Sequence, residues 1–353
     1  MKIFIAGDGH SDLHELAMYK AFKKLEHKVF FFGWNKHFRS NNPAINLFRR
    51  IQFKFILGPQ INHINNMFIE ALIRFKPDLI FIYRGTHIKP QTLNKIKFLF
   101  PNVTLCGYNN DDPFSSGYGY YIWRNFINSI PSYDLIFSYR PRNIKDYKKA
   151  GAKSVALLRS WFIPNKHYNL MLSDKDQLTY NCDVVFVGHY ENDGRLEFLE
   201  EIVRAGYKLN LFGHGYGWNK HIKKSLSLQH LYPIKNVWNI NYCKALSGAK
   251  IGLCFLSKLN NDSYTRRCFE IPATKTLLLS EFSNDLATIF TEGVDADFFR
   301  NKNELVNKVK FYIENENIRT KIAQNGYKRV VADKHDILSR VKYVLNVALN
   351  LNS

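Results

Sequence analysis

The chain has 353 residues, and 46% of them are hydrophobic, which is typical of a folded protein with more than one core. Its 50 lysines and arginines outnumber its 30 acidic residues, so the formal net charge is +20. A field of this sign attracts nucleic acid, anionic lipid or phosphorylated ligands without choosing among them. The composition therefore excludes a disordered chain but leaves the partner to be decided by the motifs.

Targeting and redox signals are sparse. No window approaches ~18 uninterrupted apolar residues, so we predict no transmembrane helix. The first residues, MKIFIAGDGH, contain only a short apolar run before a glycine turn, which does not fit a signal peptide, and we expect a cytoplasmic protein. The five cysteines form no CxxC pair, which favours reduced core residues over metal ligands or disulfides: Cys106, Cys182, Cys243, Cys254 and Cys268.

Short apolar runs alternate with helix-like segments along the chain. KIFIAG, KVFFFGW, DLIFIYRG, VTLCGYN and DLIFSYR predict five strands, with helical patterns between them at 12–26 and 62–75. After a polar stretch at 170–181 the pattern restarts with DVVFVGHY, KLNLFGHG, AKIGLCFL and TLLLSEF. Strand–helix–strand alternation, twice over, predicts two α/β domains with buried parallel sheets.

The breaks in this pattern predict the domain boundaries. A first domain covers 1–165, a linker containing a polar run covers 166–182, and a second domain covers 183–335. A final helix at 336–353 is amphipathic, and we predict that it packs back on the first domain.

Polar residues follow most of the predicted strands. In a parallel sheet the ligand normally lies beyond the carboxyl ends of the strands, so these residues are the first candidates for a site. We expect two half-sites that face one another across a cleft. The candidates in the first domain are Asp8, His10, Arg84, Asp111 and Asp112, and those in the second are Gly188, His189, Arg195, His214, Asp262, Arg267, Glu270 and Lys275.

Three segments of the second half resemble one known family. CDVVFVGHYENDGRLEFLEEIVRAGYKLNLFG, RRCFEIPATKTLLLSEF and NKNELVNKVKFYIENENIRTKIAQNGYKRV are similar to the carboxyl-terminal half of the CgeB-like glycosyltransferases, a bacterial branch of the metal-independent GT-B enzymes. The first half resembles the family through YNNDDP, which matches its Asp-Asp-Pro loop, and through SYRPRNIKDYKKAGAKSV. The resemblance implies two Rossmann-like domains, an acceptor held by the first and a nucleotide-sugar donor by the second, with no metal or other cofactor.

On the donor side, the resemblance implies that Arg267 and Arg195 meet the charge of the departing diphosphate. Glu270 would accept hydrogen bonds from ribose hydroxyls, and Asp262 stands eight positions before it, a spacing of acidic residues found in the wider GT-B group. Lys275 occupies a position where relatives carry glycine, so it either contacts phosphate or marks a displaced loop. The alternative for Arg267 and Glu270 is an i, i+3 ion pair on a solvated helix face.

Two further donor candidates, His189 and His214, each follow a glycine after a strand, where backbone N–H groups could approach phosphate. The alternative is that both are ordinary polar loop residues. The paired spacings of zinc ligands are absent from the sequence, so we predict no metal site.

On the acceptor side, Asp8, His10 and Asp112 are the catalytic candidates, because a carboxylate or a histidine near neutrality is able to take the proton of an acceptor hydroxyl. Asp111 and Arg84 would line the acceptor pocket. Both loops have a structural alternative to a role in the site. Asp12 with Glu15 has the spacing of a capping box, so Asp12 would only start the helix. YNNDDP is also the sequence of an ordinary Asx turn closed by proline.

Residues 28–55 carry an unusual composition. No acidic residue occurs from His27 to Ile69, and six basic residues interleave with phenylalanines. This combination predicts contact with an anionic membrane surface, the alternative being a solvated helix pair partly packed on the core. Nucleic acid is disfavoured, since no recognised nucleic-acid module accompanies the charge.

The sequence thus predicts a glycosyltransferase that moves a sugar from a nucleotide-sugar donor to a glycan or lipid-linked acceptor, in bacterial surface polysaccharide or lipopolysaccharide synthesis. One alternative is a nucleotide-sugar epimerase or hydrolase of the same architecture, which turns over donor without an acceptor. The other is a basic, non-catalytic protein that binds nucleic acid or membrane with steep salt dependence.

Overall fold

The computed structural model describes residues 1–9 and 11–351, and its packing divides the chain into two compact units. The first unit comprises Met1–Ser160 together with the segment from Ile337 onward, and the second comprises Trp161–Asp336. The structural boundary therefore lies at Ser160, and the segment that the sequence suggested as a linker belongs to the second unit.

The first unit is built on a six-stranded parallel sheet with the order β2-β1-β3-β4-β5-β6. Its strands are β1 (Lys2–Gly7), β2 (Lys28–Gly33), β3 (Leu79–Tyr83), β4 (Thr104–Asn109), β5 (Leu135–Ser138) and β6 (Val155–Leu157). Its first six helices are α1 (Glu15–Lys24), α2 (Pro43–Phe55), α3 (Pro59–Phe75), α4 (Pro90–Leu99), α5 (Tyr120–Ser129) and α6 (Asn143–Lys149).

Burial explains why these strands form. The central strand β3 is apolar at every position and fully buried, as expected for a strand covered by helices on both faces. The parallel register pairs Ala6 with Ile82 and Tyr83 with Tyr108. The carboxyl ends of β1, β3 and β4 therefore meet at one edge of the sheet.

The start of α1 differs from the sequence expectation. The helix begins at Glu15 with His14 at its N-cap, and the capping box between Asp12 and Glu15, considered as an alternative, does not form. The Glu15 carboxylate instead accepts the backbone N–H of Gly9 at 2.6 Å. A Cβ on Gly7 would lie 2.7 Å from Glu15 Cγ, so this packing requires glycine at the end of β1.

The second unit contains a five-stranded parallel sheet with the order β11-β10-β9-β7-β8. Its strands are β7 (Cys182–Val187), β8 (Leu209–Phe212), β9 (Ala249–Cys254), β10 (Leu277–Glu281) and β11 (Asp297–Phe299). Its helices are α7 (Asp174–Tyr180), α8 (Arg195–Arg204), α9 (Gly215–Ile222), α10 (Ile240–Ser247), α11 (Arg267–Ala273), α12 (Leu286–Ile289), α13 (Lys302–Glu314) and α14 (Glu316–Ala332).

The ends of β7 and β8 approach one another unusually closely. A Cβ on Gly213 would lie 1.9 Å from the carbonyl oxygen of Gly188, so only glycine fits between the two strand ends. The indole N–H of Trp218 donates to the same carbonyl at 2.8 Å. This contact fixes the two loops that follow β7 and β8.

The last helix, α15 (Ile337–Leu349), belongs to the first unit. It packs against α1, and the ring of Tyr343 lies 6.5 Å from that of Phe137 on β5. Across the part of the chain that the structure describes, no helix is long and apolar enough to cross a membrane. All five cysteines are buried and unbridged.

Candidate functional site

Glu270 lies on α11, buried among three donors that we call the Glu270 cage: Tyr242, Arg266 and His167. The Tyr242 hydroxyl donates to Oε2 at 2.6 Å, and Arg266 Nε donates to Oε1. His167 Nε2 lies 3.3 Å from the same Oε1. His167 Nδ1 accepts the backbone N–H of Ile163 at 2.9 Å, so the ring proton of a neutral His167 is on Nε2 and faces the carboxylate.

The cage keeps Glu270 ionised. Burial alone would raise the pKa of this carboxyl, but Arg266, His167, the Tyr242 hydroxyl and Arg267 outweigh burial and lower the pKa from 4.5 to about 2. Burial and the neighbouring carboxylate together raise the pKa of Tyr242 well above its ordinary value, so its hydroxyl remains a donor.

Arg266, and not Arg267, is the partner of Glu270. The i, i+3 ion pair considered from the sequence is therefore wrong, because the pair that forms joins Arg266 and Glu270 at i, i+4. Arg267 is the first residue of α11, beside the carboxyl end of β9. Its Nε is buried without a hydrogen-bond partner, and among residues 1–9 and 11–351 no carboxylate pairs with its guanidinium. Arg267 therefore acts on Glu270 only through its charge, without an ion pair or a bond at Nε among the described residues.

Arg195, the other residue predicted to bind the diphosphate, forms its hydrogen bonds within the loop from β7 to α8. Arg195 is buried, with Nε and Nη2 donating to Asp193 at 2.8 and 2.6 Å and Nη1 donating to the His189 carbonyl at 2.7 Å. Glu191 lies 3.4 Å from Nη2. These bonds neutralise Arg195 inside its own loop and give it the role of holding the loop's shape, while its assignment to the diphosphate stays a prediction.

Glu191 joins this loop to the one after β9. Its Oε2 accepts the Ser257 hydroxyl at 2.9 Å, and its Oε1 lies 2.7 Å from His189 Nε2. Burial works against ionisation, yet His189, Arg195 and Ser257 together lower the pKa of Glu191. The loops after β7 and β9 are thus held in contact at the carboxyl edge of the sheet.

The remaining donor-side candidates divide between two places. Gly188, His189 and His214 lie at the adjoining ends of β7 and β8, where His214 is exposed at the N-cap of α9 with Nδ1 3.2 Å from the Asn236 amide nitrogen. Asp262 lies in the β9–α11 loop and accepts the Asn260 amide at 2.9 Å.

Lys275 lies at the opposite edge of the sheet, which contradicts its prediction as a donor ligand. Helix α11 runs back along the sheet from the end of β9 to the start of β10, so a residue just after the helix reaches the amino ends of the strands. Lys275 lines a cavity of about 460 Å³ there together with Asn181, Gly248 and Lys250, and its ammonium lies over the ring of Tyr327.

In the first unit, polar residues gather at the ends of β1, β3 and β4. Asp8 Oδ1 accepts the indole N–H of Trp34 at 2.7 Å. Arg84 Nη2 lies 2.9 Å from Asp111, and the guanidinium lies 5.2 Å above the Trp123 ring. Burial would lower the pKa of Arg84, but Asp111 and then Asp8 outweigh it and raise this pKa. The structure therefore brings Asp8, Arg84 and Asp111 together, as the polar strand ends predicted.

Asp112 has a structural role in the loop after β4, and its assignment as a catalytic group stays a prediction. Its side chain is buried and Oδ1 accepts the Phe114 N–H at 3.0 Å and the Asn143 amide at 2.9 Å. The Asx turn considered from the sequence is the correct interpretation here. The other catalytic candidate, His10, lies outside the described residues.

Two histidines near the ends of β1 and β3 were not among the site candidates. His14 Nδ1 lies 3.0 Å from the Tyr83 hydroxyl beside Asp8 and Arg84. His87 is buried against Phe53, and burial lowers its pKa to about 4. In the described residues no group of three or more His, Cys, Asp or Glu side chains is arranged to hold a metal ion.

Comparisons with known proteins agree with this architecture. Residues 195–346 match the sequence model of a family described as glycosyl transferase-like. Sucrose-phosphate synthase from Thermosynechococcus elongatus superposes with a TM-score of 0.74 at 12% identity, covering 99% of both chains. Anabaena Alr3699/HepE, solved in complex with UDP-glucose, gives 0.70 at 12% identity, covering 99% of this chain and 100% of that one.

A glycosyltransferase from Rickettsia africae gives a TM-score of 0.68 at 11% identity, covering 100% of this chain and 98% of that one. No curated protein matches the sequence. The fold is therefore the GT-B fold, with two parallel α/β sheets as the sequence predicted. The stretch that matches the family contains Arg195, Arg267 and Glu270.

Proposed function

We propose that the protein is a GT-B glycosyltransferase that moves a sugar from a nucleotide-sugar donor to an acceptor hydroxyl. The observation that carries this proposal is Arg267, which forms no ion pair with any described carboxylate and has a buried, unbonded Nε, next to the caged Glu270 at the carboxyl edge of the second sheet. Ligands of parallel α/β sheets bind at this edge, and the same stretch matches the glycosyl transferase-like family.

The reaction breaks the bond between the anomeric carbon and the donor phosphate oxygen, and forms one to the acceptor oxygen. The nucleoside diphosphate leaves with the bonding electrons, so negative charge grows on its phosphate. Arg267 is positioned to meet that charge, and because its Nε is already desolvated, little reorganisation is needed. We propose that Arg267, rather than a resident metal ion or other cofactor, supplies this stabilisation.

Glu270 has a second proposed role on the donor. Its Oε1 is occupied by Arg266 and His167, whereas Oε2 accepts only the Tyr242 hydroxyl and retains a lone pair that can accept a hydrogen bond from a ribose hydroxyl. On the acceptor side, Asp8 is the described candidate base, oriented by the Trp34 N–H, and Arg84 with Asp111 would line the acceptor pocket. The acceptor's proton passes to such a base or to the leaving phosphate.

We also propose a branch of the glycosyltransferases, a donor nucleotide and an acceptor class for this protein. The resemblance in the second half supports a CgeB-like enzyme, and UDP-sugars are the first donors to test because Alr3699/HepE was solved with UDP-glucose. We propose a glycan or glycolipid acceptor in bacterial surface polysaccharide or lipopolysaccharide synthesis, with the enzyme acting peripherally on a membrane. The exposed apolar face of α2 and its neighbouring basic residues support that location.

A thermal-shift panel of UDP, GDP, CMP, ADP and dTDP, with magnesium or with EDTA, tests the donor site. A ligand at ~100 times its dissociation constant adds about 2.7 kcal/mol of stability. We expect one nucleotide to raise the melting temperature equally in magnesium and EDTA, and Arg267→Ala to abolish the shift. Lys275→Ala is the matched control, since it removes a cation at the opposite edge of the same sheet.

The outcomes separate the alternatives. No shift with any nucleotide, or an equal loss in both variants, would contradict the proposed donor site. A shift that needs magnesium would contradict the proposal that Arg267 acts without a metal. Consumption of the nucleotide-sugar at the same rate with and without acceptor would identify an epimerase or hydrolase instead of a transferase.

A further inference from the structure

Helix α2 exposes an apolar face that the core of the first unit does not cover. Gln52 is the buried residue of this helix, whereas Leu47, Phe48, Ile51 and Phe55 are between 42% and 61% exposed. Leu47, Ile51 and Phe55 recur every four residues, so they form one stripe along the helix, with Phe48 beside it. Large apolar side chains grouped in this way mark an interaction surface.

Basic residues border this stripe. Arg50 and Lys54 are exposed and stand four residues apart, which places them on the row next to Leu47, Ile51 and Phe55. The Lys54 ammonium lies 5.4 Å from the centre of the Phe55 ring. Since no acidic residue occurs from His27 to Ile69, no carboxylate of this segment offsets these charges. The surface therefore complements a partner that is negatively charged and has an apolar interior.

The aromatic surface continues onto α5. The ring of Tyr121 lies 5.9 Å from that of Phe55, and the neighbouring Tyr120 is 64% exposed. Arg124 Nη2 donates to the Ile56 carbonyl at 2.6 Å and so holds the end of α2 against α5. Tyrosines with an apolar ring and a wet hydroxyl are enriched where a protein meets the headgroups of a bilayer.

We propose that this surface, formed by α2 with Tyr120 and Tyr121, docks the protein on an anionic lipid bilayer. The apolar stripe enters the boundary between headgroups and acyl chains, and Arg50 and Lys54 contact the lipid phosphates. An uncharged protein groove would not complement the basic residues of this segment, so they favour a lipid partner. Nucleic acid would not bury the apolar stripe, which again favours lipid. The proposal does not depend on the transfer reaction.

The test is co-sedimentation of the full chain with vesicles of equal parts phosphatidylglycerol and phosphatidylcholine, against vesicles of phosphatidylcholine alone. We expect binding to the anionic vesicles, weakened by salt, and little binding to the neutral ones. The double variant Leu47→Ser/Phe48→Ser should lower the partition coefficient by at least about tenfold. Phe98→Ser is the matched control, because Phe98 is 84% exposed on α4, outside the surface.

Two charge-reversal variants test the contribution of the basic residues. Arg50→Glu should weaken partition by at least about fivefold, whereas Lys321→Glu, on an exposed position of α14 in the second unit, should change it less. Wild type that stays in the supernatant, or a double variant that pellets like wild type, would overturn the proposal. So would a dimer that dissociates in the double variant, since the surface would then join two copies of the chain. Melting temperatures of the variants confirm that each is folded.

Discussion

Replacing Glu270 with glutamine tests whether the cage holds an ionised carboxylate. Glutamine keeps the size of the side chain but removes its charge. In the folded protein the pKa of Glu270 is about 2, against an ordinary value of 4.5. At 1.36 kcal/mol for each pH unit, this difference corresponds to roughly 3 kcal/mol of stability at neutral pH. Because Glu270 is almost fully buried, solvent screening reduces this figure little.

The sign of the pH dependence follows from the lowered pKa. Above pH 4.5 the carboxylate is ionised in both states, and its full contribution to stability is present. As the pH falls from 4.5 towards 2 the unfolded state binds the proton first, so the contribution is lost. We therefore expect wild type to lose stability across this range more steeply than Glu270→Gln, and the two curves to converge at the acid end.

The assay is urea unfolding followed by circular dichroism at a series of pH values from neutral to the acid limit of the folded state. Glu292→Gln is the control, because the pKa of Glu292 is also lowered to about 2, chiefly by its hydrogen bond with Arg300. That carboxylate is 37% exposed and screened by water, so its loss should cost less than about 1 kcal/mol. Equal costs for the two variants, or parallel pH curves for wild type and Glu270→Gln, would refute the cage argument.

Two further substitutions test the structure around the donor site. Gly213→Ala should destabilise the protein by about 1–3 kcal/mol, because the new Cβ would meet the Gly188 carbonyl, a backbone atom that cannot rotate away. Gly217→Ala is its control in thermal unfolding, and equal melting temperatures for the two variants would contradict the close approach. Tyr242→Phe removes one hydrogen bond to an ionised group and should cost about 1.5–3 kcal/mol in the same assay, with a raised pKa for Glu270. No loss of stability in this variant would contradict the hydrogen bond.

The sheets were predictable because most of their strands are apolar runs of four to six residues between turns. The nine strands read from the sequence all form, and the two missed strands, β6 and β11, have only three residues each. Three residues are too few for a periodic pattern, and the residues of β6 are only half-buried. Helix starts were less predictable, since the side chain of Glu15 reached the Gly9 amide in preference to a capping box.

The site was less predictable than the sheets for a geometric reason. The polar strand ends correctly grouped Asp8, Arg84 and Asp111, because parallel strands share one carboxyl edge. Lys275 was misplaced because α11, seven residues long, begins with Arg267 at the carboxyl edge and carries the chain to the other edge of the sheet before Lys275. The partners of Glu270 were missed because Tyr242 and His167 reach it from distant segments that no local pattern connects.

The net charge of +20 does not by itself identify a ligand site, because many of the cations are paired with carboxylates inside the protein. Arg195 is neutralised by Asp193 and Glu191, and Arg266 by Glu270, so these paired guanidinium groups stabilise local structure and leave little field for a ligand. Arg267 has the same charge and a desolvated Nε but no carboxylate among the described residues. A diphosphate would supply the missing anion, which is why an arginine that the fold leaves unsatisfied is stronger evidence for a donor site than the excess of basic residues.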